Sequence, residues 1–112
     1  MNYKISILFI LIIFNTVTGC SNGSNVEQDL KKMEAMVDIK NFKDPNMYNR
    51  YYFIDNEIAN GIYIKSDFGH GLIHIVKDSD LPIIMDGGCS IINIKFDLKN
   101  EKVLSAFCNG DA

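Results

Sequence analysis

Tryptophan is absent from the 112 residues, proline occurs only twice, and no basic surplus exists. Without Trp the case for a sugar-stacking site is weak. Lys and Arg total 11 against 14 Asp and Glu, a net charge of −3, so the chain lacks the electrostatic footprint of a nucleic-acid binder. Phosphate-cradling loops of the GxxxxGK[ST] or GxGxxG type are missing, as are a GxSxG nucleophile elbow and any CxxC pair. Asp78, Asp80 and Asp86 lack the one-three-five spacing and distal Glu of a calcium loop, and turn chemistry accounts for each of them. Hydrophobic residues make up 47% and charged residues 22%, which excludes a disordered or collagen-like chain. The length allows one domain.

The apolar residues are unevenly spread. Ile5 to Phe14 is a run of ten residues in which only Ser6 is not apolar, half of the roughly 20 residues that span a bilayer. One cation, Lys4, precedes it and small or polar residues follow it, which is the layout of a secretory signal. The signal ends in Val17-Thr18-Gly19-Cys20, which resembles the lipobox of bacterial lipoproteins, with Val17 where Leu is commoner. The resemblance covers the targeting segment alone. It implies a diacylglycerol on the Cys20 thiol, cleavage between Gly19 and Cys20, and acylation of the new N-terminus. Ser21, in place of Asp, implies sorting to the outer membrane, facing the periplasm. The expected organisation is a signal peptide over 1–19, a lipidated cysteine and tether over 20–25, and one domain over 26–112. The mature chain then has 93 residues and, with Lys4 removed, a net charge of −4.

Past the tether, Ser24-Asn25-Val26-Glu27 fits a capping box. Val26, Leu30, Met33 and Val37, with Met36 beside them, recur at helical spacing, and the pattern predicts a helix over 25–40. Asp44-Pro45 breaks it or starts a single turn. The aromatic cluster around Arg50 (Tyr48, Tyr51, Tyr52, Phe53) reads as a strand packed under the helix, ahead of a recognition surface. The period then becomes two. Strands are expected at 51–55, 62–65, 72–77 and, as an edge strand or extended loop, 81–85, with a turn at Asn60-Gly61. A closing hairpin pairs 90–96 with 103–108 around a loop at 98–101. Ile73, Ile75, Ile92, Ile94, Phe96, Val103 and Phe107 are expected inside, and Ile91, Asn93 and Lys95 outside. The connections predict antiparallel neighbours, so the fold class is α+β: one N-terminal helix packed on an antiparallel meander of four to five strands.

Cys89 and Cys108 remain once Cys20 is assigned to the anchor. An even pair in an exported chain is expected to form a disulfide. The hairpin register sets them a diagonal step apart unless a bulge near Gly87-Gly88 adjusts it. His70 and His74 lie about 13 Å apart if both are on one strand, too far for one metal ion. No metal, cofactor or catalytic residue is expected. An outward sheet face bearing Ile91, Asn93, Lys95 and Leu104, rimmed by Asp67 and Asp86, is the expected partner-binding surface. The resulting expectation is a small lipid-anchored envelope protein that acts by protein binding, as an inhibitor or immunity-type protein against an envelope-acting enzyme. The alternatives are a structural or assembly subunit of an envelope complex and, less favoured, a small hydrolase.

Overall fold

The computed structural model describes residues 22–110. The signal segment and Cys20 lie outside the described residues. Helix α1 spans Asn22–Glu34, and five strands follow: β1 Tyr48–Asp55, β2 Ile58–Lys65, β3 Ile73–Ile75, β4 Ile91–Asp97 and β5 Lys102–Cys108. They form one sheet in the order β3-β1-β2-β4-β5. The broad class is α+β, as the patterning predicts, but the sheet is not a meander. β1–β2, β2–β4 and β4–β5 pair antiparallel, whereas β3 pairs parallel to β1 at the sheet edge. The 81–85 segment is not a strand. It belongs to a connection between Ile75 and Ile91, and a link of that length can pass two intervening strands.

Helix α1 stops at Glu34, well short of residue 40, and it starts upstream of the proposed Ser24 cap. Past its end Met36 N and Val37 N bond Met33 O and Glu34 O at 3.0 and 3.2 Å, the tightened pattern of a terminating helix. Leu30 and Met33 are fully buried and Val26 and Val37 pack at the margin of the core, while Met36 is exposed. The apolar stripe is therefore used as expected, although Val37 reaches the core from beyond the helix.

The first hairpin turns at Asn56-Glu57, not at Asn60-Gly61. Both turn residues have positive φ (51° and 63°), as a two-residue turn between twisted strands requires. Gly61 sits inside β2 for a packing reason: a Cβ there would lie 2.8 Å from Cε1 of Tyr52. The closing hairpin does turn over 98–101, between the paired residues Asp97 and Lys102. Asp97 accepts hydrogen bonds from the backbone N–H and side-chain amide of Asn100 (3.0 and 2.8 Å). These bonds hold its carboxyl below the usual carboxylate range.

Strand registers sort the side chains into rows. Facing α1 are Arg50–Tyr63–Ile92–Cys108, then Tyr52–Gly61–Ile94–Ala106, then Ile54–Ala59–Phe96–Val103. On the opposite, outer face one row runs His74–Tyr51–Ile62–Asn93–Phe107. Ile92, Ile94 and Phe96 are buried as expected. Phe107 is not. A β-bulge opposite Lys95/Phe96 adds one residue to β5, which turns Phe107 to the outer face and into solvent. Ile75 is also exposed, because β3 lies at the edge and not in the middle of the sheet.

Candidate functional site

A polar cluster lies in the core where α1 crosses β1 and β2. Alternation along β1 places Arg50 between Tyr48 and Tyr52 on the helix-facing side. Arg50 Nε donates to Glu34 Oε2 at 2.9 Å, and the Tyr52 and Tyr63 hydroxyls donate to the same oxygen at 2.8 and 3.0 Å. The two hydroxyls also touch each other, and with one proton apiece they fill two of these three O···O contacts at a time. Arg50 Nη1 donates to the carbonyls of Pro45 (2.7 Å) and Tyr48 (3.3 Å). Glu34 and Arg50 are 3% and 2% exposed, and no buried side-chain polar atom among the described residues lacks a partner. Burial, reinforced by the Glu34 carboxylate, pushes both tyrosine hydroxyls far above their ordinary range. A satisfied cluster closed to solvent has no room for a substrate. It fastens the helix end to the sheet. Arg50 is thus a core residue in an aromatic strand. Glu34 escaped the sequence reading, although its position four residues after Leu30, on the apolar stripe, was the available signal.

Cys89 and Cys108 lie at disulfide distance, with S–S 2.09 Å and Cα–Cα 4.6 Å. The route differs from the expected one. The bulge at Lys95/Phe96 moves Cys108 opposite Ile92, and a 3-10 turn over Gly88–Ser90 folds Cys89 back to it. Tyr48 supports this turn by donating its hydroxyl to Cys89 O at 2.9 Å.

The expected partner-binding residues divide between two environments. Asn93, Lys95 and Ile91 do lie on the outer face, opposite α1. Lys95 and Leu104 are exposed and Asn93 is half-buried. Ile91, however, is only 6% exposed. The β3–β4 connection ends over it, with Gly87 so close that a Cβ would meet Ile91 Cγ1 at 2.6 Å. Asn109 clamps this connection: its Nδ2 donates to Ile84 O (2.7 Å) and Asp86 O (3.0 Å), while its Oδ1 accepts from Asn93 Nδ2 (2.8 Å). Asp86 is therefore held beside this face through its backbone, whereas Asp67 belongs to the separate β2–β3 loop. The clamped connection presents Ile83 and Met85 to solvent, 89% and 83% exposed. The sequence reading missed these two together with Phe107.

His74 stacks on Tyr51, ring centroids 4.7 Å apart, and His70 stands in the β2–β3 loop, so the structure does not bring the two together on one site. No group of three or more His, Cys, Asp or Glu side chains among the described residues is placed to hold a metal ion. An open cleft of about 300 Å³ lies at the start of β1, between Asn41, Lys43, Asp44, Met47, Tyr48 and Lys65. Asp44 is engaged there in capping, accepting from Asn46 N at 2.9 Å. No protein-family model matches the chain, no curated protein matches it in sequence, and no solved structure matches its fold.

Proposed function

We propose that this protein is exported, lipidated on Cys20, held at the bacterial outer membrane facing the periplasm, and acts by binding a protein partner. Support for the anchor comes from the Val17-Thr18-Gly19-Cys20 signature behind a ten-residue segment that is apolar except at Ser6. No helix among the described residues is long and apolar enough to cross a membrane. The observation that carries the binding reading is the set of large apolar side chains held in solvent: Phe107 on the outer face, Leu104 at the β5 bulge, and Ile83 and Met85 on the clamped connection, the last two 89% and 83% exposed. Apolar groups on a rigid support, beside polar residues such as Asn93 and Lys95, are the ordinary make-up of an interface core with a polar rim. The Asn109 clamp and the Cys89–Cys108 link supply the rigidity, which lowers the entropy lost on association. An inhibitor or immunity-type role against an envelope-acting enzyme fits a small rigid domain that offers a surface. An assembly subunit is the second reading, favoured by the backbone edge of β5, which among the described residues pairs only with β4.

Affinity capture of the mature lipoprotein from envelope extracts, read by mass spectrometry, tests the binding reading. Leu104→Asp and Phe107→Asp should each reduce the recovered partner at least tenfold and leave the unfolding temperature within a few degrees of wild type. Recovery unchanged in both variants would withdraw the assignment of this face. A secreted enzyme as the captured partner supports inhibition, and an envelope-assembly component supports the second reading.

A further inference from the structure

Strand β3 forms one edge of the sheet, and among the described residues it pairs with β1 alone. The N–H of Arg50 donates to Leu72 O and the N–H of Val76 to Tyr52 O, both at 2.8 Å. In a parallel ladder these bonds turn Leu72, His74 and Val76 towards β1, and they turn the N–H and C=O of Ile73 and Ile75 outward. Native edges are ordinarily blunted by charged residues, proline or a bulge. Residues 71–76, Gly-Leu-Ile-His-Ile-Val, contain no proline and no acidic or basic residue besides the histidine, and the β1–β3 register runs without a shift. Apolar side chains stand in solvent on both sides of this edge. Ile75 shares the helix-facing side with Tyr52 and is 53% exposed, and Leu72, on the side of His74, is 67% exposed.

We infer that this edge pairs with the same edge of a second copy, antiparallel across a two-fold axis at His74. The segment is complementary to itself about that residue. In this register Ile73 lies opposite Ile75 of the second copy, and the pair exchanges both backbone hydrogen bonds. Leu72 lies opposite Val76, and His74 lies opposite His74 at a non-hydrogen-bonded position, where side chains approach most closely. Every aliphatic side chain of the segment thus meets an aliphatic one. A neutral imidazole carries both a donor and an acceptor, so His74 can complement its own copy, and stacking on Tyr51 at 4.7 Å holds its ring on the outer face. The charges agree. Continued past the strand, the register sets Asp78 opposite His70 and Lys77 opposite Gly71, so no like charges oppose each other. Neighbouring registers fit less well: an axis at Ile75 sets Ile73 against Lys77, and an axis at Ile73 sets Ile75 against Gly71. The contact is isologous, so it closes as a dimer and does not propagate. It is small for a protein interface, and exchange between monomer and dimer follows. Leu104 and Phe107 lie on β5, at the opposite edge, so the dimer leaves them free, and the inference does not depend on the anchor.

Cysteine cross-linking of the full-length chain, in whichever cell fraction holds it, tests the pairing. Cα atoms at a non-hydrogen-bonded position lie about 4.5 Å apart, within disulfide reach. After mild oxidation, His74→Cys should give about tenfold more dimer on non-reducing gels than wild type or Lys99→Cys, which places a thiol on the exposed 98–101 turn. A dimer fraction in His74→Cys no greater than in Lys99→Cys overturns the inference. Charge exchange at the axis gives a second reading without oxidation. Differently tagged copies of His74→Glu should copurify several-fold less with each other than with His74→Lys, because only the mixed pair sets opposite charges across the axis. Equal recovery of the like-charged and mixed pairs also overturns the inference. If His74→Glu fails to fold, the cysteine result decides.

Discussion

Glu34 ties the end of α1 to the sheet. One carboxylate oxygen gathers the guanidinium of Arg50 and the hydroxyls of Tyr52 and Tyr63, and removing one partner of such a buried pair leaves the other charge uncompensated. Glu34→Leu and Arg50→Leu should each cost about 3–5 kcal/mol in denaturant unfolding. The double variant should cost less than the two combined, because neither charge is then left alone. The same cluster sets an alkaline limit. Tyr52 and Tyr63 have hydroxyls raised well above the ordinary value by burial. In the unfolded chain they ionise near pH 10, so the folded state holds more protons above that pH. Their contribution is complete below about pH 10 and falls as pH rises beyond it, by about 1.4 kcal/mol per unit for each tyrosine. Urea titrations between pH 8 and pH 11.5 should show a plateau and then this decline, and Tyr63→Phe should make the decline shallower. A uniform slope through pH 8–10 would contradict the assignment.

At the level of elements, the edge strand β3 depends on one glycine. A Cβ on Gly71 would fall 1.6 Å from the carbonyl oxygen of Tyr48, while its own N–H donates to Asn46 O at 2.6 Å. Gly71→Ala should detach β3 from β1, seen as loss of amide exchange protection at Ile73–Ile75 and Val76 with β4 and β5 still protected. The final hairpin depends on the Cys89–Cys108 link instead, and Cys108→Ala should cost about 2–5 kcal/mol. Non-reducing peptide mapping should recover the two cysteines as one linked pair. These two elements also mark the line between what was legible in the chain and what was not. Helix α1 and strand β4 were readable, since each buries one face and shows its period: Leu30 and Met33, then Ile92, Ile94 and Phe96; β5 was located, but its faces were not. The edge position and parallel sense of β3 were not, since three residues show no period and the length of the 76–90 connection was misread as containing a strand at 81–85. Asn60-Gly61 misled for a related reason. Its glycine makes room for the Tyr52 ring, a neighbour invisible to local sequence. Phe107 was assigned to the wrong face because a bulge has no signature in hydrophobic alternation. Among the residues expected on the outer face, Asn93 and Lys95 were placed by alternation alone. The burial of Ile91 under Gly87 required the Asn109 clamp, which links residues distant in sequence.

Among the described residues α1 covers one face of the sheet, and the end of the β3–β4 connection lies over part of the other. Covered and presented positions differ in their response to substitution. Ile91→Asp places a charge under the clamped connection and should destabilise by several kcal/mol, whereas Leu104→Asp, on the solvent side, should stay within about 0.5 kcal/mol of wild type. Thermal unfolding of both variants distinguishes buried from presented surface. Cys20→Ala should leave a chain that is unprocessed or carries no lipid. The proposed envelope location depends first on that cysteine. The most direct measurement is therefore the intact mass of wild-type protein extracted from cell envelopes. The account predicts a chain beginning at Cys20, 93 residues long, bearing a diacylglycerol and an N-terminal acyl chain. A mass equal to the uncleaved chain, or to a cleaved chain with no acyl increment, would contradict it.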